Sequence, residues 1–200
     1  MSSFSVSELL TSTGPVLITD QLASPGDFLL HQLLSEYVKS SPEGKCIIVS
    51  TSQDLARWKA ISSRSVCFFF CSSLFHSVFN AIQGFNMAQK LEQGSIAFVD
   101  VPTQFPDLSP SNGTLLPLLD FIRRYIGELR GATPSLLIFD ELALFQWIGH
   151  SELDVSRFAR ALISSCAKAS ANNLVFSYLC LSLQSHFEKK CLHYSRMTFS

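Results

Sequence analysis

The chain has 200 residues, 47% of them hydrophobic and 16% charged, which suits a single globular domain over residues 1–200 and excludes a disordered chain. Lys and Arg total 15 against 16 Asp and Glu, so a net charge of -1 supplies no global field that would draw the protein to nucleic acid or to an anionic membrane. Any RNA contact has to be local or shared with another chain.

The opening segment, Met1 to Thr13, is rich in Ser and Thr and lacks the basic and continuous apolar regions of a secretory signal. Val16 to Thr19 reads as a first strand, and Phe28, Leu30, Leu33, Leu34, Tyr37 and Val38 then recur at helical spacing on one face. Cys46 to Ser50 reads as a second strand, followed by a helix containing Leu55, Trp58 and Ile61. Residues 66–83 form an atypical apolar insertion. Val66 to Ile82 approaches the shortest membrane-spanning length of about 17 residues, but Ser72, Ser73, His76, Ser77 and Asn80 lower its hydrophobicity and no basic cluster flanks it. The expectation is therefore no membrane span, with a membrane-anchored protein as a lesser alternative.

Further along, Ile96 to Val101 reads as a third strand and Pro102 to Gly113, with Pro102, Pro106 and Pro110, as a long loop of the kind that touches partners. A helix is expected from about Thr114 to Arg130, with Pro117 in its first turn and Gly131 and Pro134 ending it. Leu136 to Phe139 is a fourth strand. Ser151 and Asp154 make a capping-box-like start to a helix that buries Val155, Phe158, Ala159, Leu162, Ile163 and Cys166. Leu174 to Leu179 is a fifth strand, after which residues 188–200 lose the apolar alternation, so the sheet is expected to stop there and leave an edge. Strands alternating with helices imply a mostly parallel α/β sheet.

Two places could carry chemistry. A first strand running into a helix is where a G-x-x-x-x-G-K-[ST] loop cradles phosphates. Here Gln21 stands for the first glycine, only Gly26 survives, Asp27 replaces the lysine and Phe28 the metal-holding hydroxyl, while Pro25 lacks an amide hydrogen. A unit charge about 4 Å from another is worth up to ~4 kcal/mol at an effective dielectric of about 20, and the change from Lys to Asp reverses its sign. The remaining role for Asp27 is to complement the helix macrodipole from the first turn. The second place is Ser135-Leu136-Leu137-Ile138-Phe139-Asp140-Glu141, an apolar run ending in two carboxylates like a Walker B strand. Without a phosphate loop, the plainer reading is a buried parallel strand whose acidic end starts the next helix.

Other constellations are weaker. The spacing of Cys180, His186, Cys191 and His193 departs from structural zinc patterns, so no metal site is expected. No G-x-S-x-G or H-E-x-x-H appears, and His31 and His76 lie in apolar surroundings as packing histidines. The six cysteines, Cys46, Cys67, Cys71, Cys166, Cys180 and Cys191, lack the dense spacing of a disulfide framework, which points to a reducing compartment, cytoplasm or nucleus.

Taken in order, Val16-Leu17-Ile18-Thr19-Asp20, Gly26 to Leu34, Gly94-Ser95-Ile96-Ala97-Phe98-Val99-Asp100 and Leu137-Ile138-Phe139-Asp140-Glu141-Leu142 resemble the Elongator subunit six family over roughly residues 14–182. The resemblance implies a RecA-like fold without a functional phosphate loop. It further implies a subunit with no cofactor or catalysis of its own, which joins Elongator subunits four and five in a hetero-hexameric ring and reaches the remaining Elongator subunits through it. That ring binds tRNA and supports wobble-uridine modification. Such proteins run directly from the Leu55-Trp58-Ile61 helix into a segment like Gly84 to Leu91, so the Phe, Ser, Cys, Leu and Val content of 66–83 suggests a translated intron. The alternative is an active or ring-activated ATPase in which Asp140 and Glu141 serve a nucleotide held by a neighbouring subunit.

Overall fold

The structure, a computed structural model, describes residues 9–10, 14–20, 27–63, 85–110, 114–128, 135–168 and 173–179. Its strands are β1 (Gly14–Asp20), β2 (Lys45–Ser50), β3 (Ile96–Asp100), β4 (Ser135–Phe139) and β5 (Asn173–Leu179). Its helices are α1 (Asp27–Ser40), α2 (Leu55–Ser63), α3 (Met87–Glu92), α4 (Val101–Gln104), α5 (Leu116–Glu128), α6 (Ala143–Trp147) and α7 (Glu152–Lys168). The strands form one sheet in the order β1-β5-β4-β2-β3, and every pairing is parallel.

Alternation along the strands divides the core into two layers, because successive side chains of a strand point to opposite faces. Cys46, Ile48, Leu136 and Ile138 share one face with Leu30, Leu33, Leu34 and Tyr37 of α1, Trp58 of α2 and Met87 of α3. Ile47, Val49, Leu137 and Phe139 face the other way, onto α5, α6 and α7. With both faces covered, β2 and β4 are almost wholly apolar and buried, as a parallel sheet requires. An aromatic cluster fixes the second layer: Phe139, Phe145 and Phe158 lie with ring centroids 5.6 to 5.9 Å apart, tilted or edge-on.

The helix starts follow their local sequence. Ser151 Oγ accepts from the Asp154 amide at 3.2 Å, the expected N-cap bond, and donates to the Asp154 carboxylate at 2.6 Å, where a full capping box would instead engage the Ser151 backbone N–H. The segment read as one loop from Pro102 contains α4 instead: Asp100 Oδ1 accepts from Thr103 N at 3.1 Å and Pro102 falls in the first turn, where a missing N–H costs nothing. An aspartate cap two residues before a proline was the signal for that helix.

Helix α6 ends in a Schellman motif. The His150 amide donates to the Phe145 carbonyl at 2.9 Å and the Gly149 amide to the Gln146 carbonyl at 3.0 Å, with Gly149 at φ 106°. Pro110 Cγ would lie 3.4 Å from a β-carbon placed on Gly149, and His150 Nε2 meets the Leu108 carbonyl at 2.5 Å. The turn after α6 is thus fastened to the loop after α4. Gly149→Ala is expected to cost about 1–2 kcal/mol, read as a shifted denaturation midpoint, because φ at that value is strained for any residue with a β-carbon.

Several expectations lie outside the described residues. They include Gln21 and Gly26 of the phosphate-loop position, the insertion 66–83, and the tail 188–200. Among the described residues no helix is long and apolar enough to cross a membrane.

Candidate functional site

In an open parallel sheet, ligands gather at the carboxyl ends of the strands where the strand order reverses. From β2 the chain moves outward to β3, then returns to β4 on the other side of β2, so the reversal lies between β2 and β4. Asp140 stands at that point, immediately after β4, and is 2% exposed. Opposite it, immediately after β2, runs Ser50-Thr51-Ser52, with Ser50 and Thr51 also buried.

The carboxylate of Asp140 is filled from its own chain. Oδ1 accepts from the Thr51 amide at 2.7 Å and from the Thr51 hydroxyl at 2.9 Å. Oδ2 accepts from the Ser50 hydroxyl, from Ser52 Oγ at 3.2 Å and from the Ser52 amide at 3.4 Å. An ionised carboxylate offers about four acceptor sites, and five donors converge on this one. Thr51 Oγ1 also lies 2.7 Å from the Glu141 carbonyl, so its single proton is shared between two acceptors.

The network continues into the first core layer. Ser50 Oγ accepts from Trp58 Nε1 at 3.3 Å and from the Gln53 amide at 3.2 Å, and its single proton is shared between the Asp140 carboxylate, the charged acceptor, and the Gln53 carbonyl at 2.6 Å. Trp58 is fully buried and packs against His31 with the rings tilted by 51° and their centroids 4.1 Å apart. His31 Nδ1 and Nε2 meet no hydrogen-bond partner of good geometry. Burial pulls the His31 pKa down to about 4, opposed by the Gln53 side chain and aided by the Arg57 charge.

The Asp140 and Glu141 pair therefore sits at the right place for a Walker B strand, yet it does not open the next helix as the plainer reading expected. Helix α6 begins after Leu142, which makes no side-chain cap. Asp140 instead meets the turn after β2, where three consecutive hydroxyl residues supply its donors. Glu141 is half-buried and holds the neighbouring backbone position.

The phosphate-loop position is only partly in view. Helix α1 opens at Asp27, as the first-turn reading requires, and the Phe28 side chain is 43% exposed. Strand β5 lies between β1 and β4, so the carboxyl end of β1 is displaced from Asp140 by two strand spacings, about 10 Å.

Compared with protein-family models the chain matches none, and no curated protein matches it either. Its own geometry is therefore what argues for a function.

Four further residues belong to this site: Ser50 and Trp58, read only as strand and helix elements, and Thr51 and Ser52, which fall in neither. The signal that could have found them is a Ser-Thr-Ser run placed directly after a buried apolar strand, where hydroxyls have no solvent and need a partner. Among the described residues no group of three or more His, Cys, Asp or Glu side chains could hold a metal. Burial raises the thiols of Cys46 and Cys166, the latter to about 12, so both behave as packing residues and not as nucleophiles.

Proposed function

We propose that this chain is a non-catalytic subunit of the Elongator complex with a RecA-like fold. It joins subunits four and five in a hetero-hexameric ring in the cytoplasm and nucleus, and the ring binds tRNA and supports wobble-uridine modification. The observation that carries the non-catalytic reading is the saturated carboxylate. For Asp140 to approach a hydrated Mg²⁺, it would have to give up hydrogen bonds from Ser50, Thr51 or Ser52, each a bond to a charged group worth roughly 1.5–3 kcal/mol. The substitution of Asp27 and Phe28 for the lysine and hydroxyl of a phosphate loop supports the same reading independently. A parallel sheet with helices on both faces is compatible with RecA-like architecture.

Affinity purification of the tagged full chain followed by mass spectrometry tests the assignment. Subunits four and five are expected as stoichiometric partners, and recovery of a monomer with neither of them would overturn it. Glu141→Ala addresses catalysis, since Glu141 would polarise water in an ATPase. ATP turnover of the assembled ring is expected to stay within about twofold of wild type, whereas a loss of about 100-fold, the scale of a lost general base, would establish the ATPase reading.

A further inference from the structure

The carboxyl end of the sheet on the α5, α6 and α7 side presents Leu116, Trp147, Ile148 and Leu153 to solvent, the tryptophan and Leu153 each 53% exposed. Topology brings the four to one end: α6 follows β4 directly, while α5 and α7 run antiparallel to the strands and begin there. Single exposed apolar residues are ordinary, but four large ones gathered at one end mark a contact surface. The Schellman turn at Gly149 and its attachment to Leu108 hold the Trp147-Ile148 segment in place, so little order would be lost on docking.

The charge around this surface is predominantly acidic, with Arg123 and Arg157 as the nearest cations on its helices. Residues 93–122 and 131–156 contain no Lys or Arg, yet besides the internally bonded Asp140 and the half-buried Glu141 they carry Asp100, Asp107, Asp120, Glu152 and Asp154. Among the described residues the ion pairs at this end are Asp120 with Arg123 and Asp154 with Arg157, both exposed and each made within one helix. Among the described residues, no cation pairs with Asp107 or Glu152.

We infer that this face is a docking surface for a different protein, whose contact region combines an apolar socket for Trp147 and Leu153 with a rim of Lys and Arg. Charge decides against the other occupants. Nucleic acid and anionic lipid would meet repulsion, and a second copy joined by a two-fold axis would set acids against the same acids. A basic-rimmed partner gains from both the apolar anchor and the complementary field. The inference rests on the ring reading, under which that partner is a neighbouring subunit, and it places tRNA elsewhere than on this end of the chain.

The test is binding of the full chain to co-expressed subunits four and five. Two double variants are compared with wild type, Trp147→Ala with Leu153→Ala and Asp107→Lys with Glu152→Lys, with Lys168→Glu at the opposite end as control and thermal melting as a check on folding. The apolar pair is expected to weaken binding by about tenfold or more. The charge-reversed pair is expected to weaken it and to reduce its dependence on salt, and Lys168→Glu is expected to leave it unchanged. If wild type binds neither subunit, the ring reading and this inference fall together. If wild type binds and both folded double variants bind equally well, this inference alone falls. Loss of tRNA binding in Trp147→Ala with Leu153→Ala at unchanged subunit binding, or loss of a wild-type homodimer, would also overturn it.

Discussion

Asp140→Ala is expected to lower the free energy of unfolding by about 3 kcal/mol or more, a large share of what a domain of this size possesses. The substitution removes the acceptor from the Ser50, Thr51 and Ser52 donors at once, and Ser50 and Thr51 are buried where no bulk water replaces it. Asp140→Asn is the sharper variant. Its shape is kept, but an amide NH₂ would point at hydroxyl or amide donors, so a cost of about 2 kcal/mol is expected. The sign carries the functional meaning. A carboxylate held in readiness for metal or nucleotide is strained in the empty site, and replacing it commonly stabilises the fold. Urea unfolding of Asp140→Asn that matches or exceeds wild type would therefore defeat the view that Asp140 is an internal fastening between β2 and β4.

Acid is expected to destabilise this protein through His31. The unfolded chain takes up a proton at this residue near pH 6.5, whereas the folded chain, with the ring buried against Trp58 and Arg57 nearby, resists until about pH 4. Between those values the unfolded state binds more protons, so stability falls as the pH falls, and the contribution is fully present above 6.5. Integrated over the window, the loss reaches up to about 3 kcal/mol. His31→Phe keeps a ring against Trp58 and removes the titration together with the two nitrogens that lack partners. Denaturant unfolding between pH 7 and 4.5 is expected to show an acid loss smaller by about 2 kcal/mol in the variant. An unchanged pH dependence in His31→Phe would assign the acid sensitivity to other groups.

Much of this architecture was written along the chain. The apolar runs at Cys46 to Ser50 and Leu136 to Phe139 are too short and too continuously buried for helices, and they became the central strands. The helical spacing of Val155, Phe158, Ala159, Leu162 and Cys166 gave the buried face of α7, and Ser151 with Asp154 gave its start. Helix α4 was hidden because three prolines suggest a loop, although a proline is harmless within the first turn.

The sequence by itself determined the five strands, the helices α1, α2, α5 and α7, which faces are apolar, and that the phosphate-loop position lacks its lysine and hydroxyl. These are local properties, set by side-chain period, capping groups and charge. Only the tertiary structure decided what Asp140 does. Its partners lie 88 to 90 residues earlier in the chain, and the two segments meet because β2 and β4 pair in parallel where the strand order reverses. No period or spacing encodes that neighbour relation. The exposed Trp147 and Leu153 were likewise decided there, since a helical pattern shows which residues can be buried and packing alone determines which are left exposed.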